Sequence, residues 1–157
     1  GTPEYLAPEV IKGAGYTCSV DWWSLGVMMY EFIVGPLPFG ADVEDHVSIF
    51  RAVLEDPLGF PETLVDDSAI SVMKGLLERA PERRLGGSSL DAKEIKEQQY
   101  FVGFSWDALA GGFLDPPWRP DQEALKRNWE ASKEPLVEAP LREDYDFSKG
   151  MEWARDF

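Results

Sequence analysis

Apolar residues crowd one stretch of the chain above all others. Residues 20–34 carry apolar side chains on nearly every side of a helix. A helix without a polar face is either buried all round or crosses a membrane. This run is too short to span a bilayer and contains Asp21 and Glu31, so it predicts the centre of a core. Ser19 is a favoured N-cap residue, Asp21 suits the first turn of a helix, and Gly35 with Pro36 and Pro38 supplies the stop. Residues 1–16 are rich in Gly and Pro and predict loop, with a short helical turn around Glu9.

Weaker periodicities follow. Val43, Val47, Phe50 and Leu54 recur at helical spacing and predict a helix over 42–54. Ile70, Met73, Leu76 and Leu77 predict another from Asp67 or Ser68 to about Arg79, ended by Pro81. Arg84-Leu85-Gly86-Gly87 then turns the chain. A short helix is expected over 89–97, capped by Ser or Asp, and a further turn over 106–109. No alternating β-branched stretch is long enough to build a sheet, so the fold class is mainly α. From about Pro120 apolar residues thin out and charges crowd, apart from a helical piece over 122–129. The aromatics of this tail, Trp129, Tyr145, Phe147, Trp153 and Phe157, are either docking anchors or unselected residues in a loose tail; their spacing alone leaves both open.

Composition narrows the function classes. A chain of 157 residues that is 44% hydrophobic and 13% aromatic builds a core rather than a disordered coil. Its net charge of −14 repels phosphate backbones, which excludes sequence-independent nucleic-acid binding and favours basic peptides or proteins as partners. One Cys and one His exclude an internal disulfide and a His/Cys zinc site, and the cysteine usage points to a reducing, cytoplasmic (intracellular) setting. No apolar run reaches membrane-spanning length and no signal peptide is evident. The chain opens at Gly1 inside a dense motif, and it reads as a piece of something longer.

Candidate chemistry is sparse. Asp21, beside Trp22 and Trp23, needs hydrogen-bond or cationic partners if it is buried, and Glu31 adjoins Phe32-Ile33-Val34; each could equally cap a helix or face solvent. Gly13-Ala14-Gly15 lacks the third glycine and the preceding strand of a dinucleotide site, so it is a loop. His46 reads as a surface or satisfied histidine, and Cys18, without an activating base, as a packing residue. The residues taken alone describe a helical domain without a self-contained active site.

The order of motifs says more. Gly1-Thr2-Pro3-Glu4-Tyr5-Leu6-Ala7-Pro8-Glu9 resembles the end of the activation segment of a eukaryotic protein kinase, with its Ala-Pro-Glu signature. Asp21-Trp22-Trp23-Ser24-Leu25-Gly26 resembles the central helix of the kinase large lobe, Gly35-Pro36-Leu37-Pro38-Phe39 the turn after it, and Arg84-Leu85-Gly86 the late Arg-Leu-Gly element. Phe104-Ser105-Trp106-Asp107 through Pro120 is similar to the start of the AGC-group C-terminal tail, and Trp153-Ala154-Arg155-Asp156-Phe157 to the ending of cGMP-dependent protein kinases. The resemblance implies an incomplete helical C-terminal lobe over 1–101 and an extended tail over 102–157.

It also implies roles. Glu9 would pair with Arg84, and Asp21 would accept backbone hydrogen bonds from a catalytic loop. Thr2 would support the catalytic Asp. Pro3 and Leu6 would line the pocket for the residue after the phosphorylated Ser or Thr, and Glu4 and Glu31 would receive substrate arginines. Asn128-Trp129-Glu130 is similar to the tail's Asn-Phe-Asp element, whose aromatic borders the adenine pocket; Trp for Phe and Glu for Asp put a cofactor contact by Trp129 in question. Trp153 and Phe157 would dock on the small lobe. ATP and Mg²⁺ would serve the intact parent. The Gly-rich loop, the phosphate-binding Lys, the catalytic-loop Asp and the metal-binding Asp-Phe-Gly do not occur in these residues, so the chain alone would bind neither group and would be inactive. The expected partners are basic substrates and the parent's N-lobe and catalytic loop. Three readings stand: a C-terminal portion of an active AGC-type kinase, a non-catalytic acidic module that binds basic peptides, or a product that does not fold stably.

Overall fold

Sixteen residues, Ser19–Val34, form the longest helix among the described residues, α2. The computed structural model describes residues 2–132. A 3-10 turn, Pro3–Tyr5, and the single-turn helix α1, Pro8–Ile11, precede α2. They are followed by α3 (His46–Glu55), α4 (Asp67–Leu76), α5 (Ala92–Lys96), a second 3-10 turn (Gln99–Phe101), α6 (Trp106–Ala110) and α7 (Gln122–Ala131). No strand occurs among the described residues. The chain divides into two compact units, one ending at Gly112 and one beginning at Phe113.

Within the first unit α2 and α4 cross closely, and the Pro3–Tyr5 turn packs on both α2 and α3. Trp23, Val27 and Tyr30 of α2 meet Phe39, Val53 of α3 and Met73 of α4 in the main core. A second cluster joins Val72 and Leu76 to Ile95 of α5, with Trp22, Leu85 and Phe101 around it. The α2–α4 crossing depends on Gly26: a Cβ there would lie 2.8 Å from the Leu76 Cβ and 3.0 Å from Leu77. Two carboxylates start the flanking helices. Asp45 accepts from the Ser48 amide at 2.9 Å and Asp66 from the amides of Ser68 and Ala69 at 2.9 and 3.2 Å.

Several expectations need correction. Ser19 is not the cap of α2: it is the first helical residue, Cys18 holds the cap position without a side-chain bond, and Thr17 Oγ1 accepts from the Ser19 amide at 3.4 Å. Nor is α2 buried on all sides. Leu25, Met28, Phe32 and Ile33 are exposed and, with Met29, Tyr100 and Phe101, border an apolar cavity of about 270 Å³. The helix predicted from residue 42 starts at His46, because Asp45 caps it; Val43 and Val47 are exposed, and Ile49, Ala52 and Val53 face the core instead. α4 ends at Leu76 rather than near Arg79, whose guanidinium turns away to the carbonyls of Val53 and Asp56 at the end of α3. The helix expected over 89–97 is shorter, since Asp91 at φ 49° is outside helical geometry and its carboxylate accepts from the Trp22 indole at 2.9 Å rather than capping. Cys18 is exposed, not packed.

In the second unit α7 is capped by Asp121, which accepts from the Glu123 amide at 2.9 Å, and Trp129 lies exposed on it. The remaining tail aromatics Tyr145, Phe147, Trp153 and Phe157 lie outside the described residues. Gly26→Ala should lower unfolding stability by about 1–3 kcal/mol through overpacking against Leu76 and Leu77. Denaturant melts checked by circular dichroism test this, and an unchanged midpoint would contradict the tight crossing.

Candidate functional site

The N-terminal residues are fixed by two attachments, one deeply buried and one near the surface. At the buried end Ala7 and Pro8 start α1 in the core, with Pro8 in the first turn where its missing N–H costs nothing. This brings Glu9 to Arg84, 75 residues away in sequence. Arg84 Nη1 and Nη2 donate to the two Glu9 oxygens at 2.6 and 2.9 Å. Nη1 also donates to the Ser19 carbonyl and Nε to the Glu78 carbonyl, each at 2.9 Å. Burial pushes the Glu9 carboxyl up, but the Arg84 hydrogen bond, its own backbone amide and the Arg84 charge outweigh this and hold it below the ordinary carboxylate value.

Near the surface, the Pro3–Tyr5 turn closes through Tyr5 and Leu6 amides donating to the Thr2 and Pro3 carbonyls at 3.1 and 3.2 Å. The Tyr5 hydroxyl donates to Glu31 Oε2 near the end of α2. The Tyr5 carbonyl accepts from Ser24 Oγ at 3.0 Å. Glu4, next in the turn, has its Oε2 buried with no hydrogen-bond partner among the described residues. The bond to Glu31, burial, and the charges of Glu31 and then Glu4 raise the Tyr5 phenol above its ordinary value. Glu31 thus binds the hydroxyl directly, and the Glu4 charge acts on it in the same direction. Pro3 and Leu6 are half-buried beside it and Thr2 is exposed.

The sequence-selected residues therefore fall into two groups. Glu9 meets Arg84, and Glu31 meets Tyr5, the neighbour of Glu4 in the turn. Asp21 stands apart, exposed, its backbone amide donating to the Cys18 carbonyl at 3.0 Å and its carboxylate without a hydrogen bond or ion pair among the described residues. Tyr5 and Ser24 were not selected as site residues. Tyr5 sits inside the Ala-Pro-Glu motif, but no spacing rule links it to a glutamate 26 residues on. A hydroxyl within an otherwise apolar helix was the available sign for Ser24. Among the described residues no group of three or more His, Cys, Asp or Glu side chains is placed to hold a metal ion. None of their helices is long and apolar enough to cross a membrane.

A model of the protein kinase domain matches residues 1–101. A cGMP-dependent protein kinase of Toxoplasma gondii is 48% identical over 152 residues, covering 95% of this chain and 15% of that protein. The cGMP-dependent protein kinase of Eimeria tenella is 46% identical over 157 residues, 100% of this chain and 15% of its own length. The human RAC-beta serine/threonine-protein kinase is 45% identical over 120 residues, 76% of this chain and 24% of its own. The chain spans well under a quarter of the length of the two cGMP-dependent kinases.

Removing one member of the buried pair should cost about 3–5 kcal/mol, because the other charge stays buried and unpaired. Glu9→Ala and Arg84→Ala should both show it in urea melts, with Glu9→Gln intermediate. The folded pKa of Glu9 is depressed, so its contribution is fully present above the ordinary carboxylate value of about 4.3 and is lost as pH falls through the lower folded value. Glu9→Gln should flatten that acid limb of the stability profile; an unaltered limb would contradict the assignment.

Proposed function

Because the chain belongs to the protein kinase family, we propose that it is the substrate-binding part of an AGC-type serine/threonine kinase that phosphorylates basic proteins or peptides. The observation that supports this most directly is the pair of carboxylates around Tyr5. Glu31 is held by the Tyr5 hydroxyl, and the buried Glu4 oxygen lacks a donor. A substrate guanidinium supplies donors in a planar fork suited to such carboxylates, and the hydrogen bonds it makes are charge-assisted. The net charge of −14 adds a long-range attraction for basic sequences.

In this reading an arginine before the phosphorylated residue binds at Glu4 and Glu31, and Pro3 and Leu6 meet the residue after it. Thr2 supports a catalytic Asp supplied by the parent's catalytic loop. Asp21, exposed here, receives backbone amides of that loop. Residues 1–101 belong to the catalytic domain and 102–157 to the tail. ATP supplies the γ-phosphoryl group and Mg²⁺ neutralises its developing charge, which is mostly a matter of positioning. The donor set of the described residues does not fit that pair, so none of them, Trp129 included, is assigned to it. The parent's N-lobe and catalytic loop are then the partners of this segment, in an intracellular setting, and the segment alone does not transfer phosphate.

Fluorescence anisotropy with a labelled peptide carrying arginines before a serine tests the reading. Glu4→Gln and Glu31→Gln should each weaken binding by about tenfold or more, the scale of a lost charged hydrogen bond. Replacing the peptide arginines by alanine should abolish the difference between wild type and variants. Equal affinity of wild type and both variants for the arginine peptide would overturn the proposal.

A further inference from the structure

Ser24 is the only aliphatic hydroxyl between Asp21 and Glu31 on α2. A serine within a helix ordinarily returns its proton to the carbonyl four residues back. Here that carbonyl, Val20 O, lies at 3.3 Å, while the carbonyl of Tyr5, from a different element, is closer at 3.0 Å. Seven residues further, two turns of helix on the same face, Glu31 accepts from the hydroxyl of that same Tyr5. One tyrosine is therefore gripped twice by one helix, through its backbone by Ser24 and through its phenol by Glu31. From these contacts we infer that Ser24 is a positioning residue for substrate selection: it fixes the Pro3–Leu6 backbone and, through Tyr5, the orientation of the Glu31 carboxylate. The inference rests on the basic-peptide reading above.

Without the Ser24 bond, the phenol–Glu31 contact is the one hydrogen bond left between Tyr5 and α2 among the described residues, and the turn is otherwise held there by packing alone. The ring can then swing with the turn, and Glu31 loses its fixed geometry. A planar guanidinium is sensitive to that loss, because its hydrogen bonds require both carboxylates in register. A purely structural serine would behave differently. Alanine is the better helix former, so Ser24→Ala should not destabilise α2 by propensity.

The test uses the 157-residue chain with Ser24→Ala, Ser24→Thr and Glu31→Gln. Anisotropy with the arginine-containing serine peptide is read beside thermal melts and hydrogen exchange at the Tyr5 and Leu6 amides. Ser24→Ala should weaken the peptide roughly three- to tenfold, the worth of one neutral hydrogen bond. It should also speed exchange at the two amides without lowering the melting temperature, and Ser24→Thr, which keeps the hydroxyl, should restore both. Wild-type affinity and exchange in Ser24→Ala overturn the inference, as does a threonine variant no better than alanine. If Glu31→Gln leaves peptide binding unchanged, the basic-peptide reading fails by itself. The exchange rates then still decide Ser24, with faster exchange in the alanine variant supporting the backbone grip and unchanged exchange overturning it.

Discussion

A guanidinium that is 1% exposed would be prohibitive inside an apolar core if it were left unpaired. Arg84 is tolerated because four of its donor directions are used: two on the Glu9 carboxylate, one on the Ser19 carbonyl and one on the Glu78 carbonyl. Those acceptors come from three separate parts of the chain: α1, the first turn of α2, and the loop after α4. The pairing therefore acts as a condition on the fold. If α1, α2 and that loop are not all in place, a charge is stranded, and partly assembled arrangements are penalised far more than the native one. The weight of the pair lies in this selectivity, since an apolar replacement of equal volume is often no less stable than a buried ion pair.

The same guanidinium carries the constraint further through aromatic rings. Arg84 lies over the Trp23 ring with its central carbon 5.2 Å from the centroid, Trp23 stacks on Phe39 at 5.8 Å, and Arg79 lies over Phe39 at 5.0 Å. Arg79 in turn donates to the carbonyls of Val53 and Asp56, two of the acceptors left open where α3 ends. A column of cation, ring, ring and cation thus runs from the Glu9 pair to the end of α3. The quadrupole of each ring favours the cation on its outer face, so both arginines are held without a second buried carboxylate.

Much of this was legible in the sequence, and the failures share a cause. The central helix, the absence of sheet among the described residues and the stop at Gly35 follow from local rules, because their signals lie in adjacent residues. The Glu9–Arg84 partnership was reached by resemblance to protein kinases, since no periodicity joins residues so far apart. The errors arose where a local signal was ambiguous. A helix apolar all round carries no polar stripe to mark its buried face, so Trp23, Val27 and Tyr30 could not be told from the exposed Leu25, Met28 and Phe32. Asp42 is a credible helix start by residue type, and the helix begins four residues later because the Asp45 carboxylate takes the Ser48 amide. Asp91 looked like a cap because aspartates usually are; the Trp22 indole, a long-range partner, claimed its carboxylate instead.

One helix also joins the two halves of the candidate site. Its first residue, Ser19, accepts from Arg84, Ser24 holds the Tyr5 backbone, and Glu31 takes the Tyr5 hydroxyl. From residue 19 to residue 31 the rise is about 18 Å, set by helix geometry and not by loop conformation. The 3-10 turn is thus pinned behind by the buried ion pair through α1 and in front by two side chains of α2. A turn three residues long, with a proline in it, retains little conformational freedom under those restraints. The position of the turn and of the Tyr5–Glu31 pair is therefore inherited from the most deeply packed element of the fold.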